Sequence, residues 1–342
     1  MKVALVSPYD IGRFGGVQNQ VTLLAANLRE RGHEVWVVAP GDSVRQPVRS
    51  LGKSMNWSVN DSTAPIKVNP VLVRRLRTAV ADADVVHVHE PLMPFVGLAT
   101  RWAGKPLVGT FHADPSRLIR SVYRYFLPLK WHLAGFSALA AVSDTAASAV
   151  TGFGDVHLIP NGIATGGLPH RDRVPERIAF VGRDDPRKGL DIALEAMVEV
   201  RRARPDAHLV VISPDAVPAQ DGVSLYRNVD DDAKADLLAS AEIYVAPNRR
   251  GESFGLTVAE GLAAGAACVV SDIPAFAAVV GDAARRVEPG SAGALRDAVV
   301  ELLENRTKLR ELAAAGRARA EEFSIDKTVD AYLPLYEAAL VG

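Results

Sequence analysis

Short apolar runs rich in β-branched residues alternate along the chain with longer amphipathic stretches. KVALVS (Lys2–Ser7), EVWVVA (Glu34–Ala39), DVVHVH (Asp84–His89), PLVGTF (Pro106–Phe111) and ALAAVS (Ala138–Ser143) read as strands, and Val17 to Arg31 reads as a helix. The strands are apolar almost throughout, the pattern of a parallel sheet covered on both faces. The rhythm restarts at ERIAFVG (Glu176–Gly182) and continues through AHLVVIS (Ala207–Ser213), AEIYVAP (Ala241–Pro247) and ACVVS (Ala267–Ser271). Two βα arrays in series predict an α/β fold of two doubly wound, Rossmann-like domains. A stretch rich in Gly, Pro and charge, Asn161 to Glu176, marks the boundary. The domains are therefore placed at 1–165 and 166–323. A C-terminal helix over 324–342 is expected to pack back on the first domain, and Pro334 inside it predicts a kink or a break.

Composition narrows the setting. Cys268 is the single cysteine, so no disulfide framework exists. The run between Lys2 and Pro8 is too short for the apolar core of a signal peptide, and no apolar run reaches the ~18 residues of a membrane-spanning helix. A cytoplasmic protein is expected. Net charge is −1, yet residues 1–165 hold 17 basic against 11 acidic residues and the remainder 22 against 29. A basic front half suggests an anionic partner there; the alternative is chance scatter of surface charge.

In the first half, Gly15-Gly16 stands between the first strand and the helix beginning near Val17. A glycine pair there lets backbone amides approach a phosphate, or it is a plain turn. It is not G-x-G-x-x-G, which argues against a dehydrogenase. His112 follows PLVGTF at the carboxyl end of a strand, where open α/β sheets collect ligands; a structural histidine is the alternative. His87 and His89 are expected on opposite faces of their strand, and no Cys/His cluster has zinc spacing, so no metal site is assigned. Two basic amphipathic segments stand out. In NPVLVRRLRTAV, Asn69 can cap and Pro70 can open a helix; Leu72, Val73, Leu76 and Val80 share a face, with Arg74, Arg75 and Arg77 elsewhere. In SRLIRSVYRYFLPLKWH, Arg117, Arg120 and Arg124 line up, with Tyr123, Tyr125, Phe126 and Trp131 as interfacial aromatics. Either segment alone reads as an ordinary surface helix. Two in an already basic half point to an anionic membrane. No nucleic-acid motif accompanies them.

In the second half, the strand ERIAFVG delivers Arg183, Arg187 and Lys188 into a loop ahead of a helix, a setting that suits a diphosphate. GESFGLTVAE then places Glu252 on a loop and Glu260 on the helix opened by Gly255. A carboxylate accepts hydrogen bonds from vicinal hydroxyls, and amides at a helix start suit phosphate or hydroxyl oxygens. The pair reads as two clamps on two parts of one ligand, with a diphosphate between.

Across its length the chain resembles a GT-B-fold, family-4 retaining glycosyltransferase, through Glu252…Glu260 (E-x7-E), GGVQ (Gly15–Gln18), HEP (His89–Pro91), TFH (Thr110–His112), IPNG (Ile159–Gly162) and PRKG (Pro186–Gly189). Within that family it is most similar to the actinobacterial phosphatidylinositol mannosyltransferases. The resemblance implies two Rossmann-like domains facing across a cleft. It implies that Arg183 and Lys188 neutralise the donor diphosphate with help from the Gly16 amide, that Glu252, Phe254 and Gly255 hold the mannose, and that Leu256 also binds the donor. Glu260 would hold the ribose, and Val229, Asp231 and Lys234 the guanine. His112 would sit over the reacting sugar, Tyr9 and Gln18 would bind the inositol ring, and the Arg74–Arg77 segment would touch anionic lipid. There are departures. The Arg183–Lys188 spacing is one residue short, Ser213-Pro214 replace a glycine, and Asn56–Pro65 matches nothing.

The activity implied is transfer of mannose from GDP-mannose to phosphatidylinositol, with retention, at the inner face of the cell membrane. No cofactor is obligatory, although Mg2+ can accompany the diphosphate. The other readings are a family-4 transferase with another donor or acceptor, a sugar-nucleotide epimerase, and a non-catalytic binding module.

Overall fold

The computed structural model describes residues 1–13, 15–41, 48–52, 55–59, 62–66, 71–115, 117–166 and 171–341, with the backbone alone at 55–59, 62–66, 117, 118, 122 and 124. Asn69 and Pro70, and the side chains of Arg117 and Arg124, lie outside the described residues. The chain divides into two compact units, Met1–Gly162 with Ile325–Gly342, and Ile163–Ser324.

The first unit carries a seven-stranded parallel sheet. Its strands are β1 (Lys2–Val6), β2 (Glu34–Ala39), β3 (Val48–Ser50), β6 (Val85–His89), β7 (Leu107–Phe111), β8 (Ala138–Ala141) and β9 (Val156–Leu158), in the order β3-β2-β1-β6-β7-β8-β9. Between β3 and β6 in sequence, β4 (Met55–Val59) and β5 (Ser62–Ile66) form a separate antiparallel hairpin. The second unit carries β10 (Arg177–Val181), β11 (His208–Ile212), β12 (Val223–Tyr226), β13 (Ile243–Ala246), β14 (Ala267–Ser271) and β15 (Arg285–Val287), all parallel, in the order β12-β11-β10-β13-β14-β15. Strand order reverses at β1/β6 in one sheet and at β10/β13 in the other. In each sheet the carboxyl ends of the strands at such a switch point are the place where doubly wound folds bind ligands.

Both cores follow from the apolar runs. Val3, Leu5, Val21, Leu24 and Leu28 pack in one cluster with Ile325, Val329, Tyr332, Tyr336 and Ala339 of the C-terminal helix. Ile178, Phe180, Leu209, Val211, Ile243 and Val245 form the centre of the second core. The helix Leu72–Ala79 buries Leu72 and Leu76 and leaves Arg74, Arg75 and Arg77 exposed.

Two expectations are corrected. The helix Ile325–Val341 runs unbroken through Pro334. Proline removes the hydrogen bond to the carbonyl four residues back, here that of exposed Asp330, which water can satisfy; the buried face of the helix holds the rest against the sheet. His87 and His89 do not point to opposite faces. Their rings stack with centroids 4.4 Å apart, because side chains two apart on a strand share a face.

Candidate active site

The site residues of the second unit sit on two loops that leave neighbouring strands at the switch point. The loop after β10 carries Arg183, Arg187 and Lys188, and the loop after β13 carries Asn248, Glu252 and Phe254. Lys188 Nζ is hydrogen-bonded to Glu252 Oε1, and Asn248 Nδ2 donates to the same oxygen at 2.9 Å. Arg249 fastens the loops together. Its backbone amide donates to Arg187 O (2.8 Å), its Nη1 to Pro186 O (2.8 Å), and its guanidinium pairs with Asp191 at 2.6 and 2.8 Å. The loops touch so closely that a Cβ on Gly189 would stand 2.1 Å from Pro247 O, at a φ of +71°. Arg187 is turned onto Asp185 (2.6 Å), whereas Arg183 is exposed on the loop.

Gly255, at φ +104°, precedes the helix Leu256–Ala263 and leaves no room for a Cβ beside Phe276. Phe254 is buried edge-on against Phe323, with centroids 5.5 Å apart. Glu260, one turn from the end of that helix, accepts from Lys234 Nζ at 2.9 Å, and Asp231 lies 3.6 Å from the same ammonium. Burial pulls the Lys234 pKa down, but Glu260 and Asp231 outweigh it and the net shift is upward. Asp230 caps the helix Asp231–Ser240 through Ala233 N (2.8 Å), leaving Asp231 exposed and Val229 half-buried beside it. Each glutamate of the E-x7-E motif is thus paired with its own lysine.

In the first unit, Gly15 precedes the helix Gly16–Glu30, and the Gln18 side chain folds back so that a Cβ at position 15 would meet its Oε1 at 2.2 Å. His112, at the exit of β7, is buried, and its Nε2 lies 2.8 Å from His89 Nδ1. Its backbone amide and that of Ala113 both donate to Glu90 Oε1 at 2.7 Å. Burial lowers the His112 pKa to about 4, with the Asn161 side chain beside it acting in the opposite direction. Tyr9, after β1, has its phenol pKa raised by burial and by the charge of Glu90. Beneath these, His87 Nδ1 meets Tyr336 Oη and its Nε2 meets Thr110 Oγ1, both at 2.7 Å, and Thr110 Oγ1 meets Tyr332 Oη at 2.9 Å.

Residues 14–166 match the family model described as Glycosyltransferase Family 4, and 175–305 match Glycosyl transferases group 1. The phosphatidyl-myo-inositol mannosyltransferase of Mycobacterium leprae is 33% identical over 363 residues, covering 98% of this chain and 96% of that protein. The enzyme of the same name from Mycolicibacterium smegmatis is 35% identical over 347 residues, covering 94% and 89%. The chain belongs to glycosyltransferase family 4. Among solved structures, Anabaena HepE in complex with UDP and glucose superposes with a TM-score of 0.77 over 98% of each chain at 16% identity, a likeness of GT-B fold.

Asn248 and Arg249 join the site from outside the sequence motifs, and His89 and Glu90 join it from within HEP. Asn248 and Arg249 follow a strand directly, and that position at a switch-point edge was the available signal. Among the described residues no group of three His, Cys, Asp or Glu side chains could hold a metal ion, and no helix is long and apolar enough to cross a membrane.

Proposed function

We propose that this glycosyltransferase transfers mannose from GDP-mannose to the inositol ring of phosphatidylinositol, with retention of configuration, at an anionic membrane surface. The observation that carries the reading is the near-full-length similarity to phosphatidyl-myo-inositol mannosyltransferases, joined to two lysine–glutamate pairs, Lys188–Glu252 on the loops leaving adjacent strands and Lys234–Glu260 between two helices. Lys188 and Arg183 meet the donor diphosphate as charge develops on the leaving group, with the Gly16 amide assisting. Glu252, Phe254, Gly255 and Leu256 hold the transferred sugar, Glu260 the ribose, and Val229, Asp231 and Lys234 the base. His112 lies over the reacting sugar, and Tyr9 and Gln18 orient the inositol. Glu252 already accepts from Lys188 and Asn248, so it is disposed to orient hydroxyls rather than to attack as a nucleophile. Membrane contact is supported by exposed Arg74, Arg75 and Arg77 and by exposed Tyr125, Phe126 and Trp131. A cytoplasmic location at the inner face of the membrane accompanies this reading.

The test is GDP release from GDP-mannose with phosphatidylinositol vesicles, phosphatidylcholine vesicles or no lipid, with Lys188→Ala as control and UDP-glucose as a second donor. Release that requires phosphatidylinositol and disappears in the variant is expected. Turnover of UDP-glucose alone would discard the mannosyl donor, and equal release with and without lipid would discard the acceptor.

A further inference from the structure

The carboxylate of Glu90 takes the two amides that the exit of β7 would otherwise leave without partners. Glu90 follows β6 directly, at a left-handed φ of 55° that a non-glycine residue rarely adopts. Its own amide donates to Thr110 O (2.8 Å) and its carbonyl accepts from Met93 N (3.0 Å), so its backbone is fixed on both sides. Its side chain, 7% exposed, reaches the neighbouring strand and accepts from His112 N and Ala113 N. His89, the residue before it, holds the imidazole of the same His112. Two consecutive residues of one strand end therefore grip the backbone and the side chain of one residue on the next.

We infer that Glu90 is a positioning residue for His112, a charged clamp that sets the His112–Ala113 backbone at the carboxyl edge of the sheet. The inference rests on the reading of His112 as the residue beside the reacting sugar. A carboxylate binds N–H donors about twice as strongly as a neutral acceptor does, so the clamp is tightest when Glu90 is ionised. Burial pushes its pKa up to about 7, against the pull of the two amides. Tyr9 from the β1 exit and Tyr123 from the helix Arg117–Tyr125 have their phenol pKa values raised. His89, His112 and, behind Pro91, His132 have theirs lowered by burial, and nearby Asp114 is paired with Arg120. At about 7, Glu90 changes charge near neutral pH.

The experiment compares the full chain with Glu90→Gln and Glu90→Ala, measuring kcat and donor KM from pH 6 to 8 and backbone hydrogen exchange at pH 8. Glutamine keeps a neutral acceptor and alanine removes it. In the wild type, kcat should fall severalfold from pH 8 to pH 6. In Glu90→Gln it should stay near the wild-type pH 6 value throughout, and in Glu90→Ala it should drop more than tenfold with donor KM unchanged. The peptide holding His112 and Ala113 should exchange faster in the order alanine, glutamine, wild type. A glutamine variant with the wild-type pH profile, or an alanine variant with wild-type exchange there, would overturn the inference. If the alanine variant does not fold, the glutamine variant alone decides in the same way. A wild type that transfers no mannose would sink the proposed function instead, while the exchange order would still decide the clamp.

Discussion

Lys234 Nζ lies 2.9 Å from Glu260 Oε1, while Glu260 Oε2 is buried without a hydrogen-bond partner. A pair satisfied on one side only is placed to take a hydroxyl donor on the other. Glu260→Ala would leave the ammonium of a residue that is 8% exposed with only the exposed Asp231, 3.6 Å away, as counter-charge, and removing one partner of a buried pair costs roughly 3 kcal/mol. Replacing both, as Lys234→Met with Glu260→Leu, should recover most of that stability, because apolar substitution of a buried pair is often neutral. Nucleotide-sugar affinity should stay at least tenfold weak in both variants. Urea denaturation and calorimetric titration with the donor nucleotide measure the two effects separately. Donor affinity that returned in the double variant would show that the pair only supports the fold.

Gly189 makes a second case, for loop placement. Alanine there would need a left-handed φ and would drive its Cβ against Pro247 O, so a backbone shift follows. That shift moves Lys188, the preceding residue, away from Glu252. Gly189→Ala is expected to cost roughly 2 kcal/mol of stability and to lower kcat/KM more than a hundredfold. A Michaelis series paired with thermal melts checks it; kcat/KM within threefold of wild type would mean the loop contact is dispensable.

These two sites show what the sequence made legible. The E-x7-E spacing places one glutamate on a loop and the other on a helix because a glycine stands between them, and local chemistry of that kind survives folding unchanged. The parallel sheets were legible for the same reason, since continuous apolar runs have few other uses. Non-local pairing was not. Nothing near Lys234 in sequence names Glu260 as its partner, and the contact of His87 with Tyr336 joins the two ends of the first unit. Glu90 reads as one more acidic residue in a motif until the β6–β7 register brings its carboxylate beside His112. The assignment of His87 and His89 to opposite faces failed on periodicity alone. Pro334 was expected to kink or break its helix because the burial that holds the helix together is tertiary.

Arg74, Arg75 and Arg77 are exposed on a helix whose apolar face is already buried, so their removal should spare the fold. Each such residue near an anionic surface contributes about 1 kcal/mol. Changing all three to alanine should weaken binding to phosphatidylinositol vesicles more than tenfold in sedimentation, with thermal stability nearly unchanged. Wild-type binding should also fall as salt is raised. Vesicle binding that survives the triple change would shift the membrane contact to the exposed aromatics at Tyr125, Phe126 and Trp131.

The buried histidines give the first unit an acid weakness with a defined window. Burial lowers His87 to about 3 and His112 to about 4, and it holds His89 well below the ordinary value of 6.5. An unfolded chain protonates all three near 6.5, so their contribution is present above that pH and is lost as pH falls toward 4. Glu90 runs the other way. Its folded value is about 7 against an ordinary 4.5, so the penalty of burying its charge is relieved over the same fall. At pH 4.5 His87 and His112 each cost on the order of 2 kcal/mol and His89 acts in the same direction, against about 3 kcal/mol regained at Glu90, and the histidines prevail. In the second unit, Asp185 is held below its ordinary 3.8 chiefly by Arg187; its contribution is lost only as pH falls below that value. Burial also lowers one histidine of the second unit, half-buried His208 at the start of β11, so hydrogen exchange at pH 7 and at pH 4.5, corrected for intrinsic rates, should show the strands β1, β6 and β7 losing more protection than β10, β11 and β13. Equal loss in both units would mean that the histidine stack is not what limits the first.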